Sequence, residues 1–289
     1  MSWFNDYTLR TVILGTSLLG LFSGALGCIA VLRRQSLVGD TLAHASLPGI
    51  CLAYLLFRSR EAIPLMLGAA FAGLIAMGIV SITQRATKTD SNSAMGTVLT
   101  VFFGAGAVIL GIIQRGHDSG QAGLDKFLFG QAASLVTSQV VAIATIGFLS
   151  LLVFAMVFKE FKLLAFDPIF AESVGLPVRR TNVILTGLLV GAVVVGLNTV
   201  GVILLSAMLV APGVAARQWT DQLVKMVTLA GLFGCLSGGL GAYLSTVTTE
   251  MPTGPVVVLV LVAWVVISLI IGPAKGIAFR AKRRQEANA

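Results

Sequence analysis

The sequence predicts an all-α fold, a polytopic membrane bundle of about nine transmembrane helices. Of its 289 residues, 56% are hydrophobic and only 11% are charged, whereas a soluble domain carries about 25% charged residues. The apolar residues form successive stretches, each long enough to cross a hydrocarbon core, which takes about 17 to 25 helical residues. Neither flanking tail could form a second core, so we expect residues 1–289 to be a single transmembrane domain.

Hydropathy and helix-breaking residues set the expected bounds of each span. The nine spans are predicted near residues 9–32, 37–57, 62–83, 94–113, 137–158, 181–198, 200–217, 226–248 and 255–272. The segment 200–217 is short, and Pro212-Gly213 interrupts it near its end. The alternative is therefore eight spans plus a broken or re-entrant helix.

The basic residues are distributed unevenly around these spans. Fifteen of the 20 Lys and Arg residues fall on the side that holds the C-terminus, and five on the other side. Because cytoplasmic loops are rich in Lys and Arg, this predicts an external N-terminus and a cytoplasmic C-terminus. The net charge of +8 therefore indicates topology, and we expect lipid rather than nucleic acid around the chain. No signal-peptide pattern precedes the first apolar run, so we expect the first helix to be retained.

Glycines at four-residue spacing recur in the predicted spans. Examples are Gly20/Gly24, Gly187/Gly191 and Gly234/Gly238. In lipid, helices gain little from hydrophobic contact with one another, and small residues let their backbones approach closely. We interpret the three pairs as helix-packing positions.

Two titratable residues, Asp40 and His44, lie within the second predicted span. Four residues apart on a helix, they project from one face, about 6 Å apart along the axis. A carboxylate inside a membrane usually faces a bundle interior or a hydrated path and finds a partner there. One hard oxygen and one imidazole nitrogen suit Mn²⁺, Fe²⁺ or Zn²⁺. Two copies of the span across a two-fold axis would supply four ligands, enough for a transient site.

Other interpretations of the second span remain open. Asp40 lies close in sequence to Arg33 and Arg34 and could pair with them at the headgroup level, and Asp40 with His44 could instead relay protons. Cys51 follows near the same stripe, but we favour a small core thiol over a third ligand. Pro48-Gly49 is either a packing device or a hinge.

The longest loop assigned to the cytoplasm runs from residue 159 to 180, and its sequence predicts a short helix within it. Asp167 can cap it, Pro168 fits its first turn, and Gly175 followed by Pro177 ends it. Such a helix either rests on the membrane surface or docks on a soluble partner.

Three motifs in this order resemble the manganese/zinc/iron permease family of ABC importers. Residues 34–49 (RQSLVGDTLAHASLPG) resemble the second helix of that family, and residues 166–177 (FDPIFAESVGLP) resemble its coupling helix. Residues 201–217 (GVILLSAMLVAPGVAAR) resemble a later signature. The resemblance covers nearly the whole chain.

The resemblance implies a compact helical bundle of the B12-importer type (type II), in a bacterial plasma membrane. By the resemblance, Asp40 and His44 are metal ligands on the permeation path, with no stably bound cofactor. The coupling segment, here residues 166–177, would contact the ATPase. Its candidate coupling residues are Asp167, Ala171, Glu172, Ser173 and Gly175.

The sequence contains no Gly-x-x-x-x-Gly-Lys-Ser/Thr loop, so we expect a partner rather than this chain to hydrolyse ATP. The implied partners are two copies of an ABC ATPase subunit, a second permease protomer and an extracytoplasmic metal-binding protein. The rival hypotheses are a proton- or cation-coupled secondary transporter and a non-transporting membrane scaffold.

The identity of the metal rests on a further resemblance. Residues 123–133 (GLDKFLFGQAA) look more like the manganese members of the family than the zinc members. We therefore favour Mn²⁺, with Zn²⁺ or Fe²⁺ as alternatives. His117-Asp118 lies on a polar, Gly-rich loop, where we interpret it as a solvated pair rather than an external metal site.

Overall fold

The computed structural model describes residues 7–58, 61–115, 135–247 and 251–276, and within these ranges all regular secondary structure is helical. The eleven helices of these ranges are α1 Tyr7–Leu32, α2 Val38–Phe57, α3 Ala62–Ala86, α4 Ser91–Arg115, α5 Thr137–Met156, α6 Phe158–Phe166, α7 Pro168–Ser173, α8 Val178–Val200, α9 Val202–Arg217, α10 Leu223–Val247 and α11 Thr253–Ile271.

Eight of these helices are long and apolar enough to cross a membrane, and each coincides with a predicted span. The ninth predicted segment is α9, whose 16 residues extend for about 24 Å and fall short of a hydrocarbon core of about 30 Å. Gly201, with φ +84°, separates α8 from α9. Within the described ranges, eight spans plus a short helix thus fit the structure more closely than nine spans. Pro212 does not interrupt α9, which continues to Arg217.

The chain forms two compact units. Of the described residues, the first unit comprises 7–32, 135–155, 207–247 and 251–276, and the second comprises 33–58, 61–115 and 156–206.

In the first unit, α1 packs against α10 through small residues. A Cβ atom added at Gly20 would overlap the carbonyl oxygen of Gly234, and one added at Gly24 would lie 2.6 Å from the carbonyl oxygen of Ala230. A Cβ atom at Gly238 would overlap the carbonyl oxygen of Thr16. The packing role predicted for Gly20/Gly24 and Gly234/Gly238 is confirmed.

The third predicted glycine pair, Gly187/Gly191, has no packing contact within the described part of this chain. A Cβ atom at Gly187 or Gly191 would meet no heavy atom within 4 Å in the part of the chain that the structure describes. Their four-residue spacing matches that of the packing pairs, because spacing alone does not reveal which helix face meets a neighbour.

In the second unit, α2 packs against α3, α4 and α8. A Cβ atom at Gly49 would overlap the carbonyl oxygen of Gly68 on α3, so the two backbones are in direct contact. The hydroxyl of Thr41 donates a hydrogen bond to the carbonyl oxygen of Met95 on α4, at 3.4 Å. These contacts fix which face of α2 remains open.

Candidate functional site

Asp40 and His44 form the open stripe of α2. Between residues 38 and 51, Asp40 and His44 are half-buried, and all the remaining residues of the helix are buried. The buried residues turn toward the neighbouring helices, and the open stripe carries the acid and the imidazole on adjacent turns. The same-face arrangement predicted from their spacing of four is therefore present in the helix.

The carboxylate of Asp40 has no hydrogen bond or ion pair with any residue that the structure describes. It lies in the first turn of α2, where backbone N–H groups and the helix dipole favour a negative charge. Arg33 and Arg34, the alternative partners, do not contact it: Nη1 of Arg33 donates to Oδ1 of Asn182 at 2.7 Å, and Arg34 is exposed in a left-handed turn with φ 57°. The oxygen atoms of Asp40 thus remain available to a ligand.

The imidazole of His44 packs against an aromatic ring that the sequence analysis did not single out. Phe103 on α4 meets it edge-on, with ring centroids 5.0 Å apart and planes at 80°. Phe103 is 47% exposed, so the ring pair lies at the open side of α2. Such a contact restricts the orientation of the imidazole and adds about 0.5 to 1.5 kcal/mol beyond area burial.

A single chain supplies too few donors to hold a metal tightly. Among the described residues, no group of three or more His, Cys, Asp and Glu side chains could hold a metal ion. Cys51 is fully buried, in agreement with a core thiol. The donor set of one chain is therefore one carboxylate and one imidazole, which suits a divalent transition metal in transit when another chain completes the shell.

Pro48 and Gly49 lie inside α2, which continues unbroken to Phe57. A Cβ atom at Gly106 of α4 would lie 2.9 Å from Cδ of Pro48, and Gly49 meets α3 as described above. These contacts support the packing interpretation of the pair.

The coupling segment contains the short helix that its sequence predicts. Oδ1 of Asp167 accepts a hydrogen bond from the backbone N–H of Phe170 at 2.9 Å, and Pro168 occupies the first turn of α7. The helix ends in a turn at Gly175, whose φ is +84°. The backbone N–H of Leu176 there donates to the carbonyl oxygen of Ala171 at 3.0 Å.

The surface of the coupling segment exposes several large apolar side chains. Ile169 is 80% exposed and Val174 is 60% exposed, and Phe170 beside them is also exposed. Ala171 faces inward, whereas Glu172 and Ser173 face outward. Exposed branched and aromatic side chains on a short capped helix are typical of a docking or membrane-contact surface.

A helix that the sequence analysis missed, α6, directly precedes this segment. The charged residues Lys159, Glu160 and Lys162 are typical of a loop, so no helix was predicted there. In the structure, Phe161 and Leu164 of this helix are buried. The three-residue spacing of those two apolar residues was the available signal.

Two predicted features lie outside the described residues. These are the pair His117-Asp118 and the motif at residues 123–133.

Eight long apolar helices, with an acid and an imidazole on the open stripe of one of them, define a multi-pass helical membrane protein of the transport class. The sequence matches the ABC 3 transport family over residues 5–272. The chain therefore belongs to the ABC 3 transport family. This membership confirms the resemblance on which the sequence analysis drew.

Individual relatives agree with the family. The chain is 47% identical over 273 residues to the manganese transport system membrane protein MntC of Bacillus subtilis, across 94% of this chain and 62% of that protein. It is 44% identical over 285 residues to the zinc transport system membrane protein TroC of Treponema pallidum, across 99% of this chain and 96% of that protein.

A solved structure matches along nearly the whole chain. It is PsaBC from Streptococcus pneumoniae in complex with Fab, with a TM-score of 0.82 and 26% identity, across 98% of this chain and 97% of that chain. The predicted fold class, an all-α transmembrane bundle of the importer type, is confirmed.

Proposed function

We propose that this chain is the membrane-spanning permease subunit of an ATP-driven importer of a divalent transition metal. The observation that carries the proposal is the open stripe of α2, where Asp40 and His44 are the residues between 38 and 51 that are not fully buried. An intramembrane acid without a protein partner marks a path for a cation more often than a structural position.

The transported ion would meet the stripes of two protomers. A second copy of the chain, or a related permease, would oppose its own Asp40 and His44 across a two-fold axis. Two carboxylates and two imidazoles would then replace part of the hydration shell of the ion. A set of four ligands completed by water gives intermediate affinity, which lets the ion both enter and leave.

Energy would come from two copies of an ABC ATPase subunit at the cytoplasmic face. The exposed apolar surface of the coupling segment supports this role, because a docking helix needs side chains that a partner can bury. Asp167, Ala171, Glu172, Ser173 and Gly175 would form or shape that contact. ATP binding would shift the segment and switch the bundle between two states.

The proposal also covers the membrane in which the chain lies, its orientation, the protein that delivers the ion and the identity of the ion. The bacterial relatives support a bacterial inner membrane location, and the positive-inside bias supports an external N-terminus and a cytoplasmic C-terminus. An extracytoplasmic binding protein would deliver the ion. We favour Mn²⁺ as the cargo, because an acid–imidazole set accepts it and one relative is named for manganese. Zn²⁺, named for another relative, and Fe²⁺ are the competing cargoes.

Uptake by the reconstituted transporter tests this proposal. Radiolabelled Mn²⁺ influx into proteoliposomes would be measured for the wild type, Asp40→Ala and His44→Ala, each with and without ATP. We expect each variant to lose at least tenfold in ATP-dependent influx. Lys225→Gln, which removes an exposed charge from α10 in the first unit, should leave influx unchanged.

Two results would overturn the proposal. Normal influx in both α2 variants would remove Asp40 and His44 from the path of the metal. ATP-independent influx that loses only its pH coupling in these variants would instead favour a proton-coupled carrier.

A further inference from the structure

A cavity of about 130 Å³ lies in the second unit, away from the Asp40/His44 stripe. It is bounded by the turn before α2, the last turns of α3 and the first turns of α8. One end of the cavity is polar, formed by Arg33, Gln35, Gln84, Arg85 and Asn182. Its volume would hold about four water molecules by liquid volume, enough for a phosphate group and too little for a nucleotide.

Two positive charges line this polar end without a carboxylate to balance them. The two ion pairs in the described part of the chain both use Asp221, so neither Arg33 nor Arg85 is paired there. Arg33 is half-buried and donates to the neutral Asn182 amide, and burial lowers the pKa of its guanidinium. A desolvated guanidinium with a neutral partner retains donors for an anion.

The polar end is accessible from outside. Arg85, in the last turn of α3, is exposed, as is the neighbouring lining residue Ser81, whereas Arg33 is more buried. An anion could thus enter past Arg85 and reach Arg33 within the cavity. Guanidinium groups bind phosphate oxygens in a bidentate manner, which makes arginine suited to this task.

The other wall of the cavity is mostly apolar, with Thr186 of α8 as a polar residue in it. Met77 and Val80 of α3 face Leu185 and Leu189 of α8, and all four are buried. These residues lie about one to two turns further into their helices than the polar group. Because the ends of membrane helices lie at the headgroup level, the cavity changes from polar to apolar in the same direction as a phospholipid does.

We propose that this cavity binds the phosphate of an anionic phospholipid headgroup, with Arg33 and Arg85 as its cationic contacts. The apolar wall would pack against the glycerol end of an acyl chain. Basic pockets between transmembrane helices at the headgroup level recognise anionic lipids by the same chemistry. A free phosphate ion could make the same polar contacts but would make none with the apolar wall. The apolar wall therefore favours a lipid as the ligand. This site is separate from the proposed metal path.

Native mass spectrometry of the purified full-length chain tests the assignment. Phosphatidylglycerol and phosphatidylcholine with identical acyl chains would be titrated separately, and inorganic phosphate would then be added as a competitor. We expect phosphatidylglycerol to be retained in preference to phosphatidylcholine. Arg33→Gln and Arg85→Gln should each weaken phosphatidylglycerol binding by about tenfold, the order expected when a charge-assisted hydrogen bond is lost.

The control is Lys225→Gln, which removes one exposed positive charge from α10 in the first unit and should leave lipid selectivity unchanged. Gel filtration would establish that each variant is folded, and the exposed Arg85→Gln carries the test if Arg33→Gln does not fold. Equal retention of both lipids by the wild type would overturn the proposal. So would unchanged selectivity in a folded Arg85→Gln variant, or displacement of phosphatidylglycerol by inorganic phosphate, which would identify a free anion as the ligand.

Discussion

The imidazole of His44 on α2 meets the ring of Phe103 on α4 edge-on, with centroids 5.0 Å apart. The edge of one ring points at the face of the other, an arrangement that attracts because ring edges are positive and ring faces negative. This contact ties a candidate metal ligand to a neighbouring helix. It therefore couples the orientation of the ligand to the position of α4.

Phe103→Leu should weaken metal capture without abolishing transport. The substitution removes an aromatic contact of about 0.5 to 1.5 kcal/mol, so the apparent affinity for Mn²⁺ should fall by about two- to tenfold. The measurement is the concentration dependence of influx in proteoliposomes. Phe148→Leu, at another exposed phenylalanine on α5, is the matched control. An unaltered KM in Phe103→Leu would show that the ring contact does not orient His44 for binding.

Gly49→Ala should destabilise the protein. A Cβ atom at this position would overlap the carbonyl oxygen of Gly68 and lie 2.6 Å from Cβ of Ala72, so α2 and α3 would have to separate. Overpacking of this kind costs about 1 to 3 kcal/mol and should lower the thermal midpoint in detergent. Gly78→Ala on α3 meets nothing within 4 Å and is the control, expected to leave the midpoint the same or higher. Equal midpoints for the two variants would contradict direct backbone contact.

Gly175→Ala and Glu172→Lys should both reduce coupling, for different reasons. At φ +84° an L-residue is strained by about 1 to 2 kcal/mol, so Gly175→Ala would distort the end of α7. Glu172→Lys reverses an exposed charge without altering the fold. The measurement is the ratio of Mn²⁺ transported to ATP hydrolysed in the assembled transporter, and Glu172→Gln is the conservative control. A normal ratio in both Gly175→Ala and Glu172→Lys would argue that the coupling segment does not contact the ATPase.

The ion pair of Asp221 should make a pH-dependent contribution to the stability of the protein. Its carboxylate accepts a hydrogen bond from Nζ of Lys275 at 2.9 Å, and this contact lowers the pKa of Asp221 below its ordinary value of 3.8. The stabilisation is therefore fully present above pH 3.8 and is lost as the pH falls through the lowered pKa. Asp221→Asn should be less stable than the wild type at neutral pH and equally stable in strong acid. Thermal midpoints across this range, with 1 M salt as a screening control, would test it; a difference independent of pH would exclude the ion pair as its cause.

Hydropathy predicts the positions of the long helices well, because burial in lipid demands continuous apolar stretches. It predicts their ends less well. The third span is predicted at 62–83 and the helix extends to Ala86, and the eighth is predicted from residue 226 and its helix begins at Leu223. Helices continue into the headgroup region, where polar residues such as Arg85 are tolerated, so an apolar window stops before the helix does.

At the candidate site, features that depend on residues close in sequence could be predicted, and contacts between distant segments could not. The shared face of Asp40 and His44 follows from helical periodicity, and the cap at Asp167 follows from side-chain chemistry within three residues. The partner ring Phe103 lies 59 positions beyond His44 and is one of 16 phenylalanines, so sequence spacing could not single it out.

The most direct test of the central claim is Mn²⁺ binding to the purified transporter, measured by titration and by electron spin echo spectroscopy. The account predicts one ion bound with intermediate affinity for every two chains, with nitrogen modulation from imidazole that disappears in His44→Ala. It also predicts loss of the ion in Asp40→Ala. Undiminished binding with intact nitrogen modulation in both variants would contradict it.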